Sequence, residues 1–191
     1  QVIDQVLSTL KLPGFTIKLN NRKVLSGIAE VCNASDQLIH LTVALDKLDK
    51  IGEDGVIKEL MDKGFDSSLV DSIKPLFQLS GSFEERISFL STFLSKSEIG
   101  MKGLEELSYI HSKFQDNPLL NGQLELDVTL ARGLNYYTGA IIEVKAHDVV
   151  MGSICGGGRY DDLTGLFGVK GLSGVGISFG ADRIYDIMET L

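Results

Sequence analysis

Hydrophobic and polar residues follow two different periods along the chain, and the period changes near residues 34 and 118. Apolar positions from Val2 to Leu10 recur at helical spacing, and a Pro-Gly pair ends that pattern. Residues 15–19, FTIKL, alternate between apolar and polar and predict a half-buried strand. The Asn20-Asn21 pair that follows can cap a second amphipathic helix. The chain is therefore predicted to begin with a helix, a strand and a helix.

A series of helical patterns, separated by Gly, Ser and Pro, occupies residues 34–118. Their apolar residues form successive stripes, the first of which contains Leu38, Leu41, Leu45 and Leu48. Lysines in this region could contact phosphates, but acidic residues are interleaved with them, which favours a solvated face of mixed charge. The pattern predicts three parts, which are a core segment over 1–33, a helical insertion over 34–118 and a second core segment over 119–191.

Strand-like alternation returns after the helical region. Apolar residues from Leu124 to Leu130 alternate with polar ones, so one side of a predicted strand is buried. If the strand continues, Arg132 lies at its end and on the same face as Leu130. The polar side carries Glu125 and Asp127, which could pair with a cationic ligand or could simply face solvent.

Composition and charge narrow the class of protein. The chain has 191 residues, of which 43% are hydrophobic, so it can bury a sizeable core. A formal net charge of -8 argues against a free-standing nucleic-acid binder, because phosphate contacts need clustered Lys and Arg. No run is long enough to cross a bilayer and no export signal is present at the start, so a cytoplasmic protein is expected. Cys32 and Cys155 are too isolated for a metal site and are expected to be reduced, and no metal ligands are assigned.

The stretch from Leu130 to Glu143, LARGLNYYTGAIIE, holds residues suited to chemistry. Arg132 carries a fixed positive charge and a planar set of donors that match a carboxylate or a phosphate. Tyr136 and Tyr137 add hydroxyls that both donate and accept hydrogen bonds. Glycines at both ends of RGLNYYTG permit a sharp turn before the next predicted strand. An ordinary strand–turn–strand with surface Tyr and Arg would have the same appearance.

A second glycine-rich stretch, GGGRYDDL, begins at Gly156. It lacks the Lys-Ser or Lys-Thr of a P-loop, so it is not a phosphate-binding loop of that kind. Adjacent glycines allow a flat ligand to lie against the backbone, with Arg159 and Tyr160 at the rim. A glycine-rich loop with solvated side chains is the alternative.

A third stretch, GVGISFGADR, covers residues 174–183 and predicts a strand that runs into a helix. Gly176 and Gly180 are an even number of residues apart, so they share a face without side chains that can accept an aromatic base. Arg183 in the first turn of the helix would place a positive charge beside the helix N-terminus, which suits a polyphosphate. Packing of a helix on the bare face would explain the glycines nearly as well.

In this order, RGLNYYTG, CGGGRYDDL and GVGISFGADR closely resemble the two histidine-specific motifs and the third class-defining motif of class II histidyl-tRNA synthetases. The resemblance includes KLNNRKVL and LDKLDKIG and covers essentially the whole chain. It implies an α+β fold, with an antiparallel catalytic sheet flanked by helices and an all-helical insertion that approaches the tRNA acceptor arm. It also implies ATP-dependent activation of L-histidine and its transfer to tRNA(His) by a cytoplasmic homodimer, with Mg²⁺ accompanying ATP.

The resemblance assigns roles to individual residues. Arg132 resembles the arginine at the α-phosphate of ATP and the carboxylate of histidine. Tyr136 and Tyr137 match the pair of tyrosines that binds histidine, and Tyr160 is similar to a further wall of that pocket. Arg183 resembles the arginine that holds the terminal phosphates. The remaining family positions lie beneath the adenine and correspond here to Gly176 and Gly180.

The sequence also departs from the family pattern. Asn135 stands where many relatives have Asp. The first and second class-defining motifs and the anticodon-binding domain are not found, so we expect a fragment of the catalytic domain that does not aminoacylate alone. The alternative is a non-catalytic, synthetase-like regulatory subunit of histidine biosynthesis, which shares the fold. The presence of Arg132, Tyr136 and Tyr137 favours the synthetase.

Overall fold

The computed structural model describes residues 1–133 and 136–190. Its strands are β1 (Phe15–Asn21), β2 (Gly122–Leu126), β3 (Ala140–Ala146), β4 (Cys155–Tyr160) and β5 (Gly174–Phe179). Its α-helices are α1 (Val2–Thr9), α2 (Arg22–Val31), α3 (Leu38–Leu45), α4 (Leu48–Asp62), α5 (Ser67–Phe77), α6 (Phe83–Phe93), α7 (Glu98–Asp116) and α8 (Ala181–Thr190). Short 3-10 helices occupy Ser35–Gln37 and Leu163–Phe167. The predicted α+β class is confirmed.

The described strands form one sheet in the order β2-β1-β3-β4-β5. The pairs β1–β3, β3–β4 and β4–β5 are antiparallel, as expected, whereas β1 and β2 are parallel. Parallel strands need a long crossover between them, and the helices from α2 to α7 supply it. The sheet is therefore mixed.

The two faces of the sheet differ in polarity. Residues of α1 and α8 pack on one face together with Phe15, Ile17 and Val144, all of them buried. Burial of each such side chain contributes roughly 1.5–3 kcal/mol to folding. On the opposite face, Lys18 is the register partner of Glu143. This second face carries the polar side chains and is the one from which the functional site is built.

The helical block α3–α7 packs against α2 and against the end of the sheet. One hydrophobic cluster contains Leu41 and Leu60 of the block together with Leu19 of β1 and Leu126 of β2. Helices α2 and α7 approach each other closely at Gly27, where an added Cβ would lie 3.0 Å from the backbone nitrogen of Gly100. The block is thus packed on the sheet, and the domain boundaries proposed from the sequence remain a prediction.

Strand β2 is shorter than the alternation predicts, because it ends at Leu126. The side chain of Asp127 accepts hydrogen bonds from the backbone nitrogen and the hydroxyl of Thr129, at 3.0 and 2.6 Å. Such a local side-chain bond favours a turn over a continued strand. Arg132 therefore follows a loop and is not at the end of the strand. Among the described residues, no helix has both the length and the apolar character needed to cross a bilayer.

Candidate active site

A cavity of about 340 Å³ opens on the polar face of the sheet. Its lining includes Arg132, Tyr136 and Tyr137 from the loop before β3, and Gly180 and Arg183 from the junction of β5 and α8. Residues from distant parts of the sequence thus meet at one place, with both arginines directed to a common space.

The loop that carries Arg132 is held by an amide side chain from β1. Asn20 is fully buried, and its Nδ2 donates hydrogen bonds to the carbonyl oxygens of Val128 and Leu130, at 3.1 and 2.9 Å. These bonds replace the ladder partners that the chain loses where β2 ends. The loop therefore has a fixed path as it approaches Arg132.

The guanidinium of Arg132 lies between two carboxylates. Its Nε is 3.0 Å from Oε2 of Glu143 on β3 and 3.4 Å from Oδ1 of Asp46, which follows α3. Glu143 is 4% exposed, whereas the Arg132 side chain is 49% exposed and reaches the cavity. The arginine is thus anchored at its inner nitrogen while the group as a whole borders the cavity.

The two tyrosines are in contact, and their ring centroids lie 4.4 Å apart at an interplanar angle of 60°. The backbone nitrogen of Tyr137 donates to the carbonyl of Gly133, which has a φ of 62°. Burial, followed by hydrogen bonding with Tyr136, raises the pKa of Tyr137 to about 12. A phenol is protonated at neutral pH in any case, so the Tyr137 hydroxyl is able to donate as well as accept a hydrogen bond.

The glycines of GGGRYDDL lie within β4 and do not form a loop. Gly156 and Gly157 line the cavity. A Cβ at Gly157 would come within 2.9 Å of the Cα of Ile177 on β5, so a side chain is excluded there. The wall of the cavity at this point is backbone, and the approach of a flat ligand to it remains a prediction.

Arg183 lies in the first turn of α8. Its Nη1 donates a hydrogen bond of 2.5 Å to the carbonyl oxygen of Ser153. The helix begins directly after Gly180, whose nitrogen donates to the carbonyl of Ile154. These bonds position a cation beside a helix N-terminus, where partial positive charge also favours an anion.

Two residues predicted for the site are not among the described lining residues, namely Tyr160 and Gly176. The ring of Tyr160 lies over Gly174 and within 3.4 Å of the position that a Cβ of Gly176 would occupy. Gly158, which faces Gly176 across the β4–β5 pair, shares the same face of the sheet. Tyr160 and Gly176 therefore lie together on this face of the sheet and do not line the cavity, and Asn135 falls outside the described residues.

Asp46 and Glu143 are cavity-region carboxylates that the sequence reasoning missed. Glu143 could have been identified from the sequence, because it is the one charged residue within the apolar run AIIEV. Glu125 and Asp127, which could have paired with a cationic ligand, are instead paired with cations of the chain. Asp127 lies 2.7 Å from Lys18, and Glu125 lies 3.0 Å from Arg86.

Within residues 1–133 and 136–190, no three His, Cys, Asp or Glu side chains cluster as metal ligands would. Both cysteines are free thiols, and burial raises the pKa of Cys32 and of Cys155 to about 11. The chemistry available in the cavity is therefore that of two guanidiniums, phenolic hydroxyls and one buried carboxylate.

The mixed sheet, its helical crossover and the arginine-lined cavity define an α+β core of the class II aminoacyl-tRNA synthetase type. A family model described as histidyl-tRNA synthetase matches residues 1–184. The chain belongs to the histidyl-tRNA synthetase family.

Individual relatives agree with this assignment. The histidine–tRNA ligase of Flavobacterium johnsoniae is 62% identical over 192 residues, which cover 100% of this chain and 40% of that protein. The crystal structure of histidyl-tRNA synthetase from Nostoc sp. PCC 7120 has a TM-score of 0.89 and 32% identity, over 99% of this chain and 45% of that one.

A Bacillus halodurans structure, described as an ATP phosphoribosyltransferase regulatory subunit/histidyl-tRNA synthetase, shares the fold at a TM-score of 0.76 and 18% identity. It matches 98% of this chain and 48% of that one. The chain thus spans about 40% of the length of the curated relatives.

Proposed function

We propose that the protein of which this chain is a part activates L-histidine with ATP and transfers it to tRNA(His). The observation that carries the proposal is that Arg132 and Arg183 line one cavity together with Tyr137. A ligand with an anionic group at each arginine and an imidazole at the phenol would use all three. ATP and histidine, the substrates implied by the family, have that chemistry.

In the first step, a carboxylate oxygen of histidine forms a bond to the α-phosphorus of ATP, and the bond to pyrophosphate breaks. Two anions must approach each other, so a fixed cation between them lowers the barrier. Arg132 fits this role because Glu143 holds its Nε and the side chain still borders the cavity. Removal of one such preorganised donor costs about 10²–10³ in kcat in other enzymes.

Tyr137 and Tyr136 are assigned to the recognition of the histidine side chain. A protonated phenol can donate to an imidazole nitrogen or accept from its N–H, whereas an apolar side chain of similar size leaves the phenol unpaired. The Tyr137 phenol is protonated throughout the neutral range, as an unperturbed tyrosine also is. Tyr160 is assigned as a further wall of the same pocket.

Arg183 is assigned to the terminal phosphates of ATP, with Gly176 and Gly180 beneath the adenine. Mg²⁺ would enter as part of the ATP substrate. Its ligands would come mainly from the phosphates, since Glu143, the carboxylate that lines the cavity, already pairs with Arg132. We further propose that tRNA(His) and a second copy of the full-length protein are its partners. The protein would act in the cytoplasm.

The test is histidine-dependent exchange between pyrophosphate and ATP by the full-length protein. Arg132→Ala should lower kcat about 100-fold or more, with histidine affinity changed only modestly. Arg159→Ala is a matched control, because that side chain is 47% exposed, compared with 49% for Arg132, and is also paired with a carboxylate. Exchange that survives Arg132→Ala would overturn the assigned role.

The same assay distinguishes a synthetase from a non-catalytic regulatory subunit, and it also tests the activity of the chain by itself. A full-length protein that binds histidine but shows no exchange would be the regulatory subunit. The chain alone should show no robust exchange, and turnover by the chain would refute its proposed inactivity in isolation.

A further inference from the structure

The helical block reaches the cavity through the turn that joins α3 to α4. Asp46 is the C-cap residue of α3, and its carboxylate Oδ1 accepts a hydrogen bond of 3.2 Å from the backbone nitrogen of Ala131. The same oxygen lies 3.4 Å from Nε of Arg132. One oxygen atom of the block thus contacts both the backbone before the arginine and the arginine side chain.

A second carboxylate, Asp49 in the first turn of α4, is bound to the sheet at another place. Asp49 Oδ2 lies 2.6 Å from Nζ of Lys145 and 3.6 Å from Nζ of Lys18. These contacts involve β3 and β1, and neither involves Arg132. The helical block is therefore attached to the sheet at two places. Asp46 contacts Arg132, and Asp49 contacts lysines that do not line the cavity.

A second carboxylate beside Arg132 is electrostatically costly. Burial raises the pKa of Asp46 above its usual value and Glu143 raises it further, while the Ala131 amide and Arg132 act in the opposite direction. Glu143 alone would already neutralise the guanidinium. The extra acid is therefore better explained by what it does to the orientation of Arg132 than by stability.

Both carboxylates contact Nε, the inner nitrogen of the guanidinium, in the described ion pairs of Arg132. A guanidinium has five N–H donors in a rigid plane, and Nε supplies one of them, so ion pairs at Nε restrain the direction of the group and leave the outer nitrogens for a ligand. A misplacement of about 1 Å at a reacting centre can cost on the order of 100-fold in rate.

We propose that Asp46 is a positioning residue for Arg132, through which the docking of the helical block sets the geometry of histidine activation. The inference rests on the proposed function, because it assigns Asp46 a role in that reaction. It makes the helical block part of the activation machinery as well as a neighbour of it.

The experiment measures pyrophosphate exchange in the full-length protein. Asp46→Asn keeps the shape and an acceptor for the Ala131 amide but removes the charge that orients Arg132. It should lower kcat about tenfold with KM for histidine and for ATP within about threefold. Asp46→Glu should restore part of the loss. Asp49→Asn removes the neighbouring anchor and should change kcat less than about threefold.

A double-mutant cycle separates positioning from a general structural effect. If Asp46 acts through Arg132, Asp46→Asn should have no further effect in a protein that already carries Arg132→Ala. An equal loss in both backgrounds, or wild-type kcat for Asp46→Asn beside an impaired Arg132→Ala, would overturn this inference and leave the proposed function intact. No exchange by the unmodified protein would overturn both.

Discussion

Tyr137 lies directly against the backbone of Gly158. A Cβ at Gly158 would be 2.8 Å from Cδ1 of the ring and 2.7 Å from the carbonyl oxygen of Ala140. On its other side the ring packs against Gly133, whose φ of 62° also disfavours a side chain. The phenol that is assigned to histidine recognition is thus held between two glycines, and its position depends on both.

Because the ring is fixed by these glycines, the hydroxyl can be removed without moving it. Tyr137→Phe should raise the KM for histidine in the exchange assay about tenfold, which is the effect of one lost hydrogen bond of roughly 1.4 kcal/mol. Tyr136→Phe is the matched control, and we expect a smaller effect because Tyr136 is 49% exposed. Equal effects of the two changes would contradict the assignment of the main contact to Tyr137.

The predicted adenine site can be tested by adding a methyl group. A Cβ at Gly180 would lie 3.4 Å from its nearest neighbour, the carbonyl oxygen of Ile154, and a Cβ at Gly176 would lie 3.4 Å from the Tyr160 ring. Both substitutions therefore fit the free protein, but each would meet a base placed against the glycine. We expect Gly180→Ala and Gly176→Ala to raise the KM for ATP roughly 5-fold to 150-fold, as steric overpacking of about 1–3 kcal/mol would.

The control for these variants is the free energy of unfolding, which should change by less than about 0.5 kcal/mol. An unchanged KM for Gly176→Ala would remove that residue from the adenine site and restrict the site to the residues that line the cavity.

The contact between α2 and α7 predicts a strong effect on stability. A Cβ at Gly27 would come within 3.0 Å of the backbone nitrogen of Gly100, and neither helix can move away without disturbing the core. Gly27→Ala should therefore lower the free energy of unfolding by about 1–3 kcal/mol in urea denaturation. At Gly165 an added Cβ meets nothing within 4 Å, so Gly165→Ala should be close to neutral. Similar losses for both variants would contradict the packing argument.

Asp4 should make the stability of the chain depend on pH in the acid range. Its buried carboxylate accepts hydrogen bonds from the backbone nitrogens of Leu120, Asn121 and Gly122, at 2.6, 3.2 and 2.9 Å. Burial acts to raise the pKa of Asp4, but these three donors outweigh it and hold the pKa below the ordinary value.

A lowered pKa in the folded state means that the ionised carboxylate favours folding. This contribution is complete above the unfolded pKa of about 4 and is lost as the pH falls through the lower folded value. Asp4→Asn should destabilise the chain by about 1–2 kcal/mol at pH 7 and should flatten the decline of unfolding free energy below pH 4. If the unfolding free energy of the variant declined as steeply below pH 4 as that of the unmodified chain, carboxylates other than Asp4 would be responsible for the decline.

Sequence periodicity predicted most of the elements, and the resemblance of three motifs to a known family indicated the main residues of the cavity. The strand from Phe15 and the helix capped by Asn21 follow from patterns within short windows of sequence, whereas the convergence of Arg132 with Arg183 was implied by the family resemblance. The predicted end of β2 was wrong, because an alternating pattern does not reveal the turn that the Asp127 side chain forms with Thr129.

The partners of Arg132 could not be inferred in the same way. Asp46 and Arg132 are 86 residues apart, and their contact depends on how the helical block docks on the sheet. No local pattern marks such a pair, whereas Glu143 could have been identified as the one charged residue in the apolar run AIIEV. Electrostatic contacts between residues far apart in the sequence are therefore the part of the site that local sequence patterns do not predict.

The parallel pairing of β1 with β2 has a consequence for how the protein can change over time. The whole helical block leaves from and returns to adjacent strands, so its length does not enter the register of the sheet. Doubling a loop of this kind adds only about 0.6 kcal/mol of closure entropy. A longer, shorter or rebuilt block is thus compatible with the same strand register, provided that the turn bearing Asp46 keeps its place.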